Sequence, residues 1–147
     1  MTEEIKMNVL RPFGPSVART TMPTELVNNL NKYVDETILD VGKLEELDHG
    51  SKLAGNVKQE FKLEKDFIEK SGLLKFLAFC TSNWIKLSDQ KKIKKFEIQE
   101  SWIVRQFENE YNPIHYHGGH ISGVGYLKIP KNFGEYQQSS KRVNRNG

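Results

Sequence analysis

The chain has 147 residues, of which 37% are hydrophobic and 28% charged, so it is one folded domain; two domains and a disordered chain are excluded. Its formal net charge of +3 is small for this length and does not by itself indicate nucleic acid. Cys80 is the only cysteine, which excludes an internal disulfide and is typical of a reducing cytoplasm. We expect neither a signal peptide nor a membrane span, because no stretch is apolar and long enough.

Residues 1–90 are predicted to be mainly helical. A short strand interrupted by a Pro/Gly turn is expected from Met7 to Val17. A helix is then predicted from Pro23 to Gly42, because proline suits a helix start and glycine a helix end. Its apolar stripe has helical spacing and comprises Leu26, Leu30, Tyr33, Val34, Ile38 and Val41.

The next segments are predicted to be a loop and a second helix. Lys43 to Gln59 is polar and is expected to be a loop in which His49 is solvated. A helix is predicted from Glu64 to Lys86, with Cys80 on its apolar side as an unreactive core residue. Gly72 weakens that helix by about 1 kcal/mol relative to alanine and marks a kink or a break.

Residues 91–147 are predicted to supply strands. Between Phe96 and Arg105 apolar and polar side chains alternate, which predicts a strand. The lysine-rich run Lys91–Lys95 before it contains no aromatic residue, so a solvated turn is favoured over a nucleic-acid site. Ile121 to Ile129 is apolar on both faces, which predicts a buried strand that Pro130 ends.

Three of the four histidines, His115, His117 and His120, follow a predicted turn at Asn109–Pro113, and a further strand is predicted to carry them. Side chains two apart in a strand point to the same face, so His115 and His117 could reach one metal ion. His120 is out of phase and is the weaker candidate. From spacing alone, a pair of polar residues at a strand edge is the simpler explanation.

The order and spacing of these elements resemble the Fe(II)/2-oxoglutarate-dependent oxygenase superfamily, and most of all a small microbial and phage-type branch. In that branch a tryptophan-bearing strand, a turn, an H-x-H element and a Ser-Gly-Val-x-Tyr-Leu strand ending in proline follow one another. The matching residues here are Ser101–Val104, Asn112–Pro113, His115–His117, Ser122–Leu127 and Pro130.

The resemblance implies an α+β fold in which N-terminal helices pack on a partial double-stranded β-helix, or jelly roll. It also implies an iron site of two histidines and one carboxylate. His115 matches the first ligand, His117 stands where the carboxylate usually does, and Tyr126 lies where the family places a group near 2-oxoglutarate. No histidine follows His120 to act as the distal ligand, and Lys141, Arg142 and Arg145 come too early to bind 2-oxoglutarate, so the chain looks like the N-terminal part of a longer member.

Two functions are therefore open. The first is an Fe(II)/2-oxoglutarate-dependent hydroxylase, acting on a small-molecule or peptide substrate that the sequence does not identify. The second is a non-catalytic, truncated jelly roll that serves as an interaction module or a phage accessory or structural protein. Open strand edges would let that module form a homo-oligomer.

Overall fold

The computed structural model describes residues 5–11 and 13–131. These residues form helices and two small antiparallel sheets. The predicted α+β class is confirmed, and no jelly roll is shown in these residues. The tail from residue 132, including Lys141, Arg142 and Arg145, lies outside the described residues, as do residues 1–4. The elements in chain order are β1 (Met7–Leu10), β2 (Val17–Thr20), α1 (Thr24–Leu39), α2 (Val41–Leu47), a 3-10 turn (Gly50–Lys52), β3 (Gln59–Lys62), α3 (Lys65–Lys70), α4 (Leu73–Asp89) and β4 (Trp102–Arg105).

The first strand and its Pro/Gly turn form a hairpin. β1 pairs antiparallel with β2, from Met7 opposite Thr20 to Leu10 opposite Val17. Gly14 in the connection has φ 122°, a conformation that glycine adopts without steric cost. Pro12, the other turn residue in the prediction, lies outside the described residues.

Helix α1 buries the predicted apolar stripe but ends earlier than predicted. Pro23 precedes its first residue, and the buried side chains include Leu26 and Leu30. The helix stops at Leu39, because Asp40 has extended backbone angles and its carboxylate accepts a hydrogen bond from the backbone N–H of Lys43. That hydrogen bond caps a new helix, α2, so the predicted continuation of α1 to Gly42 was wrong.

The predicted loop from Lys43 to Gln59 was also wrong for much of its length. It contains most of α2, the 3-10 turn and the first residue of β3. The turn is attached to β3 because the backbone N–H of His49 donates to the carbonyl of Glu60 over 2.8 Å. This hydrogen bond attaches a segment for which the polar composition alone predicted no regular structure.

Gly72 divides the second predicted helix in two. Its φ of 88° lies in the left-handed region, so α3 ends before it and α4 begins after it. The two helices pack on α1 through a cluster of buried side chains: Leu26, Leu30, Ile68 and Leu73. No helix in the described part of the chain is both long and apolar enough to cross a membrane.

Strand β4 is shorter than the predicted strand from Phe96 to Arg105. It pairs antiparallel with β3, which has only four residues before Glu64 caps α3. The pairing register ends at Lys62 opposite Trp102, and one further backbone hydrogen bond joins Leu63 N–H to the carbonyl of Ser101, so residues 96–100 lie outside the ladder. Phe61 and Ile103 face each other across the two strands and pack with Tyr33 and Val34 of α1 in a second core cluster.

The strand predicted to carry the histidines and the buried strand predicted from Ile121 to Ile129 were both wrong. Residues 112–130 contain no strand, and Val124 and Tyr126, expected in a buried strand, are 79% and 68% exposed. Apolar strands need a neighbouring strand for their backbone hydrogen bonds, and the described residues supply none to this segment. The chain just before it is held by an isolated bridge between Asn56 and Tyr111 and by a hydrogen bond from the backbone N–H of Lys58 to the Glu110 carboxylate.

Candidate metal-binding site

The sheet of β3 and β4 has two different faces. Side chains directly opposite each other in an antiparallel pair share a face, so Phe61 and Ile103 point to the helices. Glu60 and Val104 therefore point to the opposite side, and Trp102 does the same. The predicted histidines lie on this second side, where the ring of His117 is 5.5 Å from that of Trp102.

His115 and His117 are brought together as their spacing predicted, although not by a strand. Their Nε2 atoms are 2.9 Å apart, and their rings meet edge to face at 79°. His115 Nδ1 lies 2.7 Å from the carbonyl oxygen of Pro113. A carbonyl can only accept, so this Nδ1 carries the proton and the neutral His115 ring has its lone pair on Nε2.

The distance between the two Nε2 atoms suits a shared metal ion. Metal–imidazole bonds of about 2.0–2.1 Å at a right angle place two nitrogens about 2.9 Å apart. The contact between His115 and Pro113 is of the kind that orients a metal-binding imidazole through its other nitrogen. Without a metal, the same distance is a hydrogen bond in which His117 Nε2–H donates to His115 Nε2.

His49 is buried against the same Trp102, which corrects the prediction that it is solvated. It is 1% exposed, its ring lies 5.9 Å from the indole, and its Nε2 is 3.8 Å from the carboxylate of Glu100. Neither ring nitrogen has a hydrogen-bond partner. The polar composition around His49 gave no signal of this burial, which follows from the backbone pairing of the turn with β3.

Glu60 is a buried carboxylate on the side of the sheet that carries the histidines. It is 3% exposed, and its Oε2 has no hydrogen-bond partner. Burial raises the pKa of its carboxyl above the ordinary value of 4.5, and the negative charges of Asp48 and Glu110 raise it further. His115 acts in the opposite direction on that pKa, so it lies within electrostatic range of Glu60.

The raised pKa of Glu60 predicts a specific pH dependence of stability. The folded state holds this proton more tightly than the unfolded state, so its contribution to stability is complete below pH 4.5 and is lost as pH rises through the folded pKa. In Glu60→Gln that loss should be absent. Urea unfolding from pH 4 to 8 measures it, with the exposed Glu97→Gln as the matched control. Identical slopes for Glu60→Gln and the wild type would contradict the prediction.

The other residues of the histidine segment do not join the pair. Within the described residues, His120 and Tyr126 are exposed and make no hydrogen bond or ring contact with His115 or His117. The same residues contain no group of three or more His, Cys, Asp or Glu side chains that could hold a metal ion. The pair therefore provides two ligands, and a tight site needs a third.

Cys80 fits its predicted role as an unreactive core residue. Its side chain is partly buried in α4, and burial raises the pKa of its thiol. A raised pKa disfavours the thiolate, which is the form that attacks substrates or binds metals. The candidate chemistry thus stays with the histidines.

Comparison with known proteins gave no family: no protein-family model, no curated protein and no solved structure matches the chain. The resemblance that the histidine segment carries therefore stays a prediction. The geometry of the pair is an independent observation, and the function must be argued from it.

Proposed function

We propose that this chain carries the iron-binding segment of an Fe(II)/2-oxoglutarate-dependent oxygenase, with His115 and His117 as two of the iron ligands. The observation that carries the proposal is the 2.9 Å between their Nε2 atoms, the separation of two adjacent ligands on one metal ion. The hydrogen bond from His115 Nδ1 to the Pro113 carbonyl supports the proposal. It places the proton on Nδ1 and leaves the lone pair of Nε2 free to bind the metal ion.

The rest of the proposal concerns residues around the pair. Trp102 lies against the His117 ring and restricts its orientation, and Tyr126 would contact 2-oxoglutarate once the segment around it is ordered against further strands. A third iron ligand would come from outside the described residues, together with the strands that complete a jelly roll. When bound, iron and 2-oxoglutarate would supply the oxidation by O2 that hydroxylates a substrate C–H bond.

Metal titration of single variants tests the proposal. Fe(II) under anaerobic conditions, and Co(II) as a coloured substitute, should bind the wild-type chain weakly, with one ion per histidine pair, because the pair supplies only two ligands. His115→Ala and His117→Ala should each reduce the affinity below detection, since a single imidazole does not retain the ion. Calorimetry and the visible spectrum of Co(II) are the two readouts.

His120→Ala is the matched control, because it removes a nearby exposed histidine outside the pair. It should bind both metals as the wild type does, and circular dichroism should show all three variants folded. Equal Fe(II) affinity in His115→Ala, His117→Ala and the wild type would overturn the proposal.

A second function is favoured by a different observation, the exposed apolar side chains of the histidine segment. The exposed apolar side chains of this segment include Ile114, Tyr116, Val124, Tyr126 and Ile129. Exposed apolar side chains concentrated in one segment favour an interaction surface. In this alternative the chain is a non-catalytic module that pairs with a second copy through this segment and through strand edges.

Sedimentation velocity over a hundredfold range of concentration distinguishes the two functions. The interaction module should form a metal-independent dimer that Val124→Asp together with Tyr126→Asp dissociates. An oxygenase segment should bind metal in a way that depends on His115 and His117, and it should form no such dimer.

A further inference from the structure

A second site lies beside Gly50, between the 3-10 turn and β3. A Cβ atom placed on Gly50 would be 3.7 Å from Asp48 Oδ1 and 3.8 Å from Glu60 Oε2. Apart from residues adjacent in the chain, no other heavy atom lies within 4 Å of that point. Two carboxylate oxygens from separate elements therefore converge on one small space.

Glu60 is what distinguishes this place from an ordinary acidic surface. Its side chain is 3% exposed, and Oε2 has no hydrogen-bond partner. A buried carboxylate oxygen without a donor is costly, and it is normally paired or hydrogen-bonded. The missing donor is thus an observation that points to a ligand.

A cleft that shares Asp48 and Glu60 with this space has the size and charge for a cationic group. It has a volume of about 220 Å³ and contains one basic side chain against three acidic ones. The lining residues are Leu44, Glu45, Asp48, Lys58, Gln59 and Glu60. Asp48 and Glu110 also raise the pKa of the Glu60 carboxyl, as expected where negative charges are close together without a counter-ion.

The donor set favours an organic cation over a metal ion. No group of three or more metal-ligating side chains occurs in the part of the chain that the structure describes, and hard metal ions need several oxygen ligands. A guanidinium or primary ammonium group needs only acceptors for its N–H donors, and two carboxylates supply them.

We propose that the space beside Gly50 binds the guanidinium or ammonium group of a ligand, with Asp48 and Glu60 as its hydrogen-bond acceptors. Glu60 shares a face of the sheet with Trp102, and the His117 ring lies 5.5 Å from the Trp102 ring, so this site and the histidine pair lie on one side of the sheet. The ligand would then be the substrate, a molecule with an arginine-like or lysine-like side chain; this last step rests on the proposed oxygenase function.

Calorimetry on the metal-free 147-residue chain tests the site without the iron. The probes are N-acetylarginine amide and N-acetyllysine amide, with N-acetylcitrulline amide as the uncharged control of similar shape. At least one cationic probe should bind, and the citrulline probe should bind at least about tenfold more weakly, because it lacks the charge-assisted hydrogen bonds.

Three variants and a control connect binding to the site. Asp48→Asn and Glu60→Gln should each weaken binding about tenfold or more, and Glu97→Gln should leave it unchanged. Gly50→Ala should abolish binding with the fold intact, since its backbone lies outside the left-handed region and the added methyl meets neighbours only at ordinary contact distances. Gly50→Ala keeps both carboxylates, so it still tests the site if Asp48→Asn or Glu60→Gln does not fold.

Three results would overturn the site: no binding of either cationic probe, equal binding of the citrulline probe, or unchanged binding in Gly50→Ala. Stoichiometric Ca²⁺ binding that Asp48→Asn removes and that displaces the probes would replace it with a metal site. Failure of the oxygenase proposal would look different, because it would leave probe binding intact and remove only the dependence of Fe(II) affinity on His115 and His117.

Discussion

Replacing Phe61 with alanine is expected to lower the free energy of unfolding by about 3–5 kcal/mol. Phe61 is 0% exposed and lies in the core cluster with Tyr33 and Val34 of α1, opposite Ile103 of β4. Truncation removes the largest fully buried side chain of the described residues and leaves a cavity that the helix and the sheet fill only in part. Domains have a total stability of about 5–15 kcal/mol, so much of the stability of the protein would be lost.

Urea unfolding at 25 °C, followed by circular dichroism, measures this effect. Val104→Ala is the matched control, because Val104 lies on the same sheet with its side chain on the opposite face and 39% exposed. The control should lose about 1 kcal/mol or less. If both variants lose the same free energy, the assignment of the two faces is wrong.

The second large effect is expected at Tyr33, where three helices meet. Its ring is stacked on Phe67 of α3 with a centroid distance of 4.0 Å, and Lys43 of α2 lies 4.9 Å above it. Its hydroxyl donates to Glu64 Oε2 over 3.1 Å, and Lys43 Nζ reaches the same oxygen at 2.6 Å. Tyr33→Ala removes the stacking on Phe67, the contact with Lys43 and the hydrogen bond to Glu64, and it should cost about 3–5 kcal/mol.

Tyr33→Phe separates the ring from the hydroxyl. It keeps the stacking and removes the hydrogen bond to Glu64, so a loss of about 1–2 kcal/mol is expected. The difference between the two variants, from thermal and urea unfolding, gives the contribution of the ring. A loss in Tyr33→Phe as large as that in Tyr33→Ala would mean that the hydrogen bond, and not the packing, joins these helices.

The sequence predicted the parts of this fold that depend on local periodicity. The buried stripe of α1 was correct, because helical spacing and burial coincide there. Its end was missed, because the side chain of Asp40 favours a cap over one more helical turn and no apolar pattern records that competition. The break at Gly72 was allowed for, since glycine is the residue that tolerates a φ of 88°.

Parts that depend on partners far away in the chain were predicted poorly. The apolar run from Ile121 to Ile129 has the composition of a strand, but a strand forms only where another strand accepts its hydrogen bonds. The burial of His49 likewise follows from pairing with Glu60, eleven positions later. His115 and His117 do meet, but the strand that was predicted to bring them together is absent, and the metal site stays a prediction.

The alternation of side chains along β3 and β4 gives the sheet one face that packs on the helices and one that does not. Phe61 and Ile103 anchor the sheet to the helices, whereas Glu60 and Trp102 lie on the other face, where the His117 ring meets Trp102. Substitutions on this second face leave the packing between sheet and helices in place. The second face can therefore vary, by drift or by engineering, without redesign of the core.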